Sequence, residues 1–213
     1  MNTEKRASIV QEELMSLYGA PPIPLVHRDA YTLLVAVLLS AQCTDKRVNL
    51  VTPALFAAYP TLEAMAAAPI EDVENYVRSC GFYKHKARDI VLACQMLLSD
   101  YGGKVPGTME ELLRLPGVGR KTANLLLGDI YKVPGSVVCD THCIRICGKL
   151  GLSHGKEPEK VEQQLRKILP PEKSNDFCHR LVLFGREICT ARSPKCGQCP
   201  LSPFCLEANP EAK

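Results

Sequence analysis

The chain has no tryptophan, only 6% aromatic residues, no apolar run long enough to cross a bilayer and no block of like charge. Several function classes fall away with these absences. The longest apolar stretch, Ala30 to Ala41, is interrupted by Tyr31, Thr32 and Ser40 and falls short of the ~20 residues a membrane helix needs. With 26 Lys+Arg against 23 Asp+Glu, the formal net charge of +3 excludes a polybasic tail, so any anion site must be assembled locally. The opening segment MNTEKRASIVQEELMSLYG scatters charge through a helix-like stretch and lacks the apolar core of a secretory signal. No alternating strand pattern, long-period repeat or low-complexity segment is visible. A cytoplasmic, reducing setting without membrane association is therefore expected.

What the chain has in excess is cysteine, 11 in 213 residues. An odd, uneven count is a poor disulfide framework, and 46% hydrophobic residues suffice to build a core without covalent support. In a reducing compartment such thiols stay free or bind metal.

Helical periodicity dominates, and breakers punctuate it at short intervals, which predicts an all-α protein. The first helix is expected over Thr3 to Leu17, ending at Gly19 before Pro21, Pro22 and Pro24. Asp29 is placed to cap a second, apolar helix through Ala41, and Thr44 a third toward Ala58. Short helices are expected over Leu62 to Ala67 and Ile70 to Ser79, then a long one from Lys84 to Tyr101 stopped by Gly102-Gly103. Thr108 and Glu111 match a capping box, and Arg120 to Ile130 carries an apolar stripe of Ala123, Leu126 and Leu127. Further helices are expected over Thr141 to Leu150, Pro158 to Leu169 and Ser174 to Cys189.

Beyond them lies CTARSPKCGQCPLSPFC, in which Cys189, Cys196, Cys199 and Cys205 form a C-x6-C-x2-C-x5-C array. Pro194, Pro200 and Pro203 prevent a regular helix there. Four thiolates on a stiff loop can converge on one metal centre; spacing alone leaves both zinc and a cubane iron-sulfur cluster open, because only one C-x2-C knuckle is present. The other seven cysteines, Cys43, Cys80, Cys94, Cys139, Cys143, Cys147 and Cys178, have no partner at knuckle spacing and read as packing residues.

The segment LPGVGRKTANLLL sets two glycines between helical stretches. A tight hairpin there needs positive φ, and its outward backbone N–H groups suit a phosphate. Lys121 falls in the first turn of the following helix, where the macrodipole disfavours the ammonium form; partial burial would favour the neutral amine further. A neutral amine is a nucleophile. Asp140, in VVCDTHCIR, precedes another helix and reads locally as an N-cap, which does not prevent it from handling a proton or stabilising a cationic transition state.

Hairpin, lysine, aspartate and cysteine array stand in one order along the chain, and that combination resembles the endonuclease III family of helix-hairpin-helix DNA glycosylases. LLSAQCTDKRVN and GFYKHKARDI also resemble its upstream segments. The resemblance implies two helical domains flanking a DNA-binding cleft: residues 22–133 as a helical barrel with the helix-hairpin-helix motif at about 108–128, and residues 1–21 plus 134–213 as an iron-sulfur domain. It implies Lys121 as the nucleophile that forms a Schiff base at C1′ of a damaged pyrimidine nucleotide, and Asp140 as its assisting carboxylate. Loss of the 2′ proton then permits β-elimination of the 3′ phosphate.

Under the same resemblance Cys189, Cys196, Cys199 and Cys205 hold a [4Fe-4S] cluster. Gln42 fills the gap left by an extruded base, and Phe82 takes the wedge position, often leucine in the family. Leu115, Gly117, Val118, Gly119 and Arg120 of the hairpin, with Arg192 and Lys195 of the cysteine loop, would contact DNA. Lys84, Lys86 and Arg145 are further candidates for the basic cleft, and His142 for orienting its neighbours. The expected partner is double-stranded DNA with damaged bases or abasic sites, bound by a monomer. An adenine-removing mismatch glycosylase lacks such a lysine and typically carries an extra C-terminal domain; a non-catalytic DNA-binding or redox module needs neither the lysine nor the aspartate.

Overall fold

The computed structural model describes residues 2–209, which form α-helices and short 3-10 turns with no strand among them. Most helix starts are fixed by a polar side chain that accepts a hydrogen bond from an otherwise orphaned backbone N–H. Asn2 caps α1 (Thr3–Tyr18), Thr44 caps α3 (Asp45–Ala58) and Thr61 caps α4 (Leu62–Ala66). At α2 (Ala30–Ser40) Asp29 and Thr32 make a reciprocal capping box. The box expected at α7 (Met109–Leu112) is only half made: the Thr108 hydroxyl accepts from the Glu111 N–H at 3.3 Å, but it donates to the Glu111 carboxylate at 2.6 Å, so that carboxylate is not turned back to the Thr108 backbone. The remaining helices are α5 (Ile70–Val77), α6 (Tyr83–Tyr101), α8 (Arg120–Asp129), α9 (Thr141–Lys149), α10 (Pro158–Ile168) and α11 (Ser174–Glu187).

Two compact units divide these helices, one spanning Ile23–Tyr131 and the other Met1–Pro22 with Lys132–Lys213. In the first, α2 is apolar on every side, and Leu33 to Leu39 are all buried beneath α3, α6 and α8. Each buried leucine contributes about 1.5–3 kcal/mol relative to exposure, which makes α2 the axis of that core. The same core takes the Ala123, Leu126 and Leu127 stripe of α8, so the helix that begins just before Lys121 is fixed along its inner face.

In the second unit α11 packs on α1 and α9, with Phe177 and Phe184 fully buried. Arg6, only 4% exposed, donates from Nη1 to the carbonyls of Leu150 and Phe204 at 3.2 and 3.1 Å, tying α1 to the end of α9 and to the cysteine loop. Cys139, Cys143, Cys147 and Cys178 are buried in this unit, with the Cys143 thiol hydrogen-bonded among the other three. These contacts agree with a packing role.

Candidate active site and metal centre

The hairpin between α7 and α8 is set by two glycines with different duties. Gly117 lies at φ +75°, and a Cβ there would come within 2.9 to 3.0 Å of Asp89 and Leu38, so both conformation and packing require glycine. Gly119, the N-cap of α8, lies at φ −96°, and a Cβ there would meet nothing within 4 Å. The fold does not need a glycine at that position, and the open space beside it is where another molecule can approach the backbone. Arg120 and Lys121 occupy the next two positions, in the first turn of α8, whose N–H groups and dipole favour an anion.

Leu115 and Val118 turn their side chains inward, so the DNA contact expected of them falls to their backbone groups. They are 2% and 7% exposed and pack into the core of this unit, where they hold the hairpin in place. Lys121 departs from expectation differently. Its side chain is exposed, so the protein's own burial does not strip water from the amine, and desolvation must come from whatever binds.

Gln42 and Phe82 are both exposed and both in the left-handed region, at φ 52° and 57°, an uncommon state for residues with a Cβ. Phe82 is 63% exposed, a large apolar side chain held out on a constrained backbone. The segments touch: a Cβ on Gly81 would lie 3.5 Å from the Gln42 carbonyl oxygen. Composition and periodicity give no sign of this paired constraint, because backbone φ at a non-glycine is not written in residue type.

Lys86 does not belong among the cleft cations. It is 6% exposed, and its Nζ donates to the Leu39 carbonyl at 2.8 Å, satisfying the last turn of α2. Burial lowers its pKa, partly opposed by the nearby thiols of Cys43 and Cys80. Lys84 remains exposed.

In the other unit Asp140 is the N-cap of α9, with Oδ1 accepting the Cys143 N–H at 2.7 Å. The carboxylate is half-buried, and the cap occupies one of its two oxygens. His142 packs against α11: a Cβ on Gly185 would fall 2.3 Å from its Nδ1, and Nδ1 lies 3.3 Å from Arg145 Nη2. His142 thus packs on α11 and contacts the Arg145 guanidinium.

Arg145, like Lys86, is engaged within its own unit. Its Nη1 donates to the Cys189 carbonyl at 2.6 Å and approaches the Cys189 sulfur at 3.4 Å, so it holds the first cysteine of the array rather than facing phosphate. Arg192 and Lys195 are exposed on the same loop, as expected.

Cys189, Cys196, Cys199 and Cys205 line one cavity of about 200 Å³, together with Ile188, Pro194 and Lys149. Lys149 is paired with Glu207 at 2.8 Å, which raises its pKa. The Cys199 thiol is pushed up by burial, pulled back by a backbone N–H at Leu201, and pushed up again by the other three sulfurs. Four sulfurs around one cavity, with an amide donating to one of them, suit a positively charged metal centre. A single zinc ion would need its sulfurs ~2.3 Å from one point. Among the described residues no three His, Cys, Asp or Glu side chains converge on a single-ion position. Four cysteines around one cavity can hold a cluster that takes one thiolate at each of several irons. The loop is anchored by Lys195 N–H to Ile188 O at 2.9 Å and Leu206 N–H to Lys149 O at 2.8 Å.

Comparison with known proteins agrees with this geometry. Residues 35–171 match the HhH-GPD superfamily of base excision DNA repair proteins, and residues 189–205 match the iron-sulfur binding domain of endonuclease III. The chain is 40% identical over 205 residues to endonuclease III of Synechocystis sp., covering 96% of this chain and 94% of that protein. It is likewise 40% identical over 205 residues to endonuclease III of Escherichia coli K12, covering 96% of each. A solved structure of a trapped endonuclease III–DNA covalent intermediate superposes with a TM-score of 0.93 at 41% identity over 100% of both chains. The chain therefore belongs to the endonuclease III family of base excision repair enzymes, DNA N-glycosylases with abasic-site lyase activity that carry an iron-sulfur cluster.

Proposed function

We propose that this enzyme excises oxidised pyrimidines of the thymine glycol type through Lys121 and then cleaves the strand by β-elimination. The observation that carries the reading is Lys121 itself, an exposed amine in the first turn of α8, two residues after a glycine whose surroundings are open. With the target nucleotide extruded, the Lys121 Nζ lone pair attacks C1′, the C1′–N bond breaks, and the damaged base leaves with the electron pair. The remaining lone pair on Nζ then opens the sugar ring: the C1′–N double bond forms, the C1′–O4′ bond breaks and O4′ takes up a proton; the resulting protonated Schiff base acidifies the 2′ carbon, and loss of that proton expels the 3′ phosphate. Asp140 takes the proton from the lysine and balances positive charge on the sugar.

The Gly119 backbone, the first turn of α8 and Arg120 hold the phosphates, while Gln42 and Phe82 occupy the space the extruded base leaves. Arg192 and Lys195 add phosphate contacts whose contribution falls with salt. Cys189, Cys196, Cys199 and Cys205 hold the [4Fe-4S] cluster, which when bound fixes the shape of that basic loop; Arg145 keeps the Cys189 end in register. The enzyme acts as a monomer on duplex DNA.

Duplexes with one thymine glycol, one abasic site or no damage, incubated with the holoenzyme, test the substrate class. The expected outcome is base release from the first and strand cleavage 3′ to the lesion in both damaged duplexes, leaving an unsaturated 3′ sugar aldehyde. Equal processing of undamaged thymine, or intact strands at abasic sites, would overturn the reading.

A further inference from the structure

The two segments that carry Gln42 and Phe82 also carry a thiol pair. Cys43 follows Gln42 and Cys80 precedes Gly81, and the contact between the Gly81 and Gln42 backbones sets the two thiols as neighbours. Both lie in the same compact unit. Cys80 is buried, while Cys43 is half-exposed. Burial and the bond to Cys43 push the Cys80 thiol up to about 11, so it stays protonated, whereas Lys86 and Arg47 supply positive charge nearby. A partly exposed sulfur with a buried, protonated thiol behind it is the arrangement of an attacking and a resolving cysteine.

We propose that Cys43 and Cys80 form a reversible disulfide on exposure to hydrogen peroxide, joining the Gln42 and Phe82 segments and slowing the enzyme until a thiol reductant reopens it. The slowing rests on the reading that Gln42 and Phe82 enter the duplex; the disulfide itself does not. The Cys43 thiolate attacks one peroxide oxygen: an S–O bond forms, the O–O bond breaks, and the departing hydroxide takes up a proton as water. The Cys80 sulfur then attacks the sulfenic sulfur, the S–S bond forms, and the S–O bond breaks. The hydroxide leaves with the Cys80 proton as a second water. Two thiols are oxidised to one disulfide while one peroxide is reduced to two waters.

Closing the bond shortens the distance between the sulfurs from thiol contact to ~2.05 Å. Gly81 already lies against the Gln42 carbonyl, and both Gln42 and Phe82 sit at positive φ, where little conformational slack exists. The tether therefore changes how the two side chains are presented. Misplacement of about 1 Å in such a site costs on the order of a hundredfold in rate.

The test uses holoenzyme treated with limiting peroxide, alkylated and digested with trypsin. The expected product is residues 29–46 joined to residues 79–84, two hydrogens lighter than the sum of the free peptides, which returns to separate peptides with dithiothreitol. The treated enzyme should cleave abasic-site DNA at least about tenfold more slowly. It should recover with reductant and keep its cluster absorption near ~400 nm. Cys43→Ser should yield neither the joined peptide nor the slowing. Absence of the joined peptide overturns the pairing; a joined enzyme with unchanged cleavage, or equal slowing in Cys43→Ser, overturns its consequence. If substituting Gln42 and Phe82 by Ala leaves cleavage unchanged, the duplex-insertion reading fails, while the joined peptide still decides the thiol pair.

Discussion

A side chain that does two jobs can be separated into them by choosing its replacement. Asp140 caps α9 through Oδ1, and asparagine caps a helix as well as aspartate does. Asp140→Asn should therefore hold its unfolding free energy within about 0.5 kcal/mol of the parent while losing most base excision, whereas Asp140→Ala should also lose about 0.5–2 kcal/mol of stability. Urea unfolding beside excision assays checks this; an active Asp140→Asn enzyme would leave the residue with its cap alone.

Gly117 and Gly119 divide in the same way. Gly117→Ala meets Asp89 and Leu38 at a positive φ and should cost about 1–3 kcal/mol in folding. Gly119→Ala should fold within about 0.5 kcal/mol of the parent but bind abasic-site duplex more weakly, because only the DNA requires that space. A Gly119→Ala enzyme with unaltered affinity would show that DNA does not approach there.

For single residues the sequence was readable where residue type carries the chemistry. The four cysteines of the array line one cavity, and Asp140 is the N-cap that its place before α9 predicts. The sequence was not readable for Lys86 and Arg145, which differ from Lys84 and Arg192 only in what lies opposite them in space: a Leu39 carbonyl and the Cys189 backbone. A cation's partner is a long-range property, and spacing along the chain does not encode it.

Among the elements, helix limits were legible because caps and breakers act locally. Asp29, Thr44, Gly19 and Gly102 mark ends where expected. The cysteine loop is the opposite case. Its hold on the rest of its unit comes from Arg6 on α1, Arg145 on α9 and the Lys149 carbonyl, up to 198 residues away in sequence. Arg145→Met keeps much of the side-chain volume but removes both contacts to Cys189. The cluster band near ~400 nm should then bleach faster under chelator than in the parent, and DNA affinity should fall with it. An equal bleaching rate would show that Arg145 does not secure the loop.

Over the whole molecule, the buried thiols set an alkaline limit. Burial pushes Cys80 to about 11 and Cys94 to about 12, and Cys143 is raised by its three thiol neighbours and by burial. The unfolded chain releases these protons near pH ~8.5. Above that the unfolded state binds fewer protons than the folded state, so stability falls as pH rises toward 11. Lys86, lowered by burial, has the opposite slope near its own range, but it is one group against three. Thermal melts between pH 7 and pH 10.5 should show a falling midpoint above about pH 8.5, less steep in Cys94→Ala. A flat profile would contradict the buried, protonated thiols.

The proposed chemistry turns on one amine, Lys121, forming the covalent bond to DNA. Borohydride reduction during turnover of abasic-site or thymine glycol duplex, followed by peptide mapping of the trapped complex, probes that bond itself. A stable protein–DNA adduct carried on Lys121 is expected, and no adduct with Lys121→Ala. An adduct of undiminished yield in Lys121→Ala, or one mapped to a different residue of the parent enzyme, would contradict the assignment.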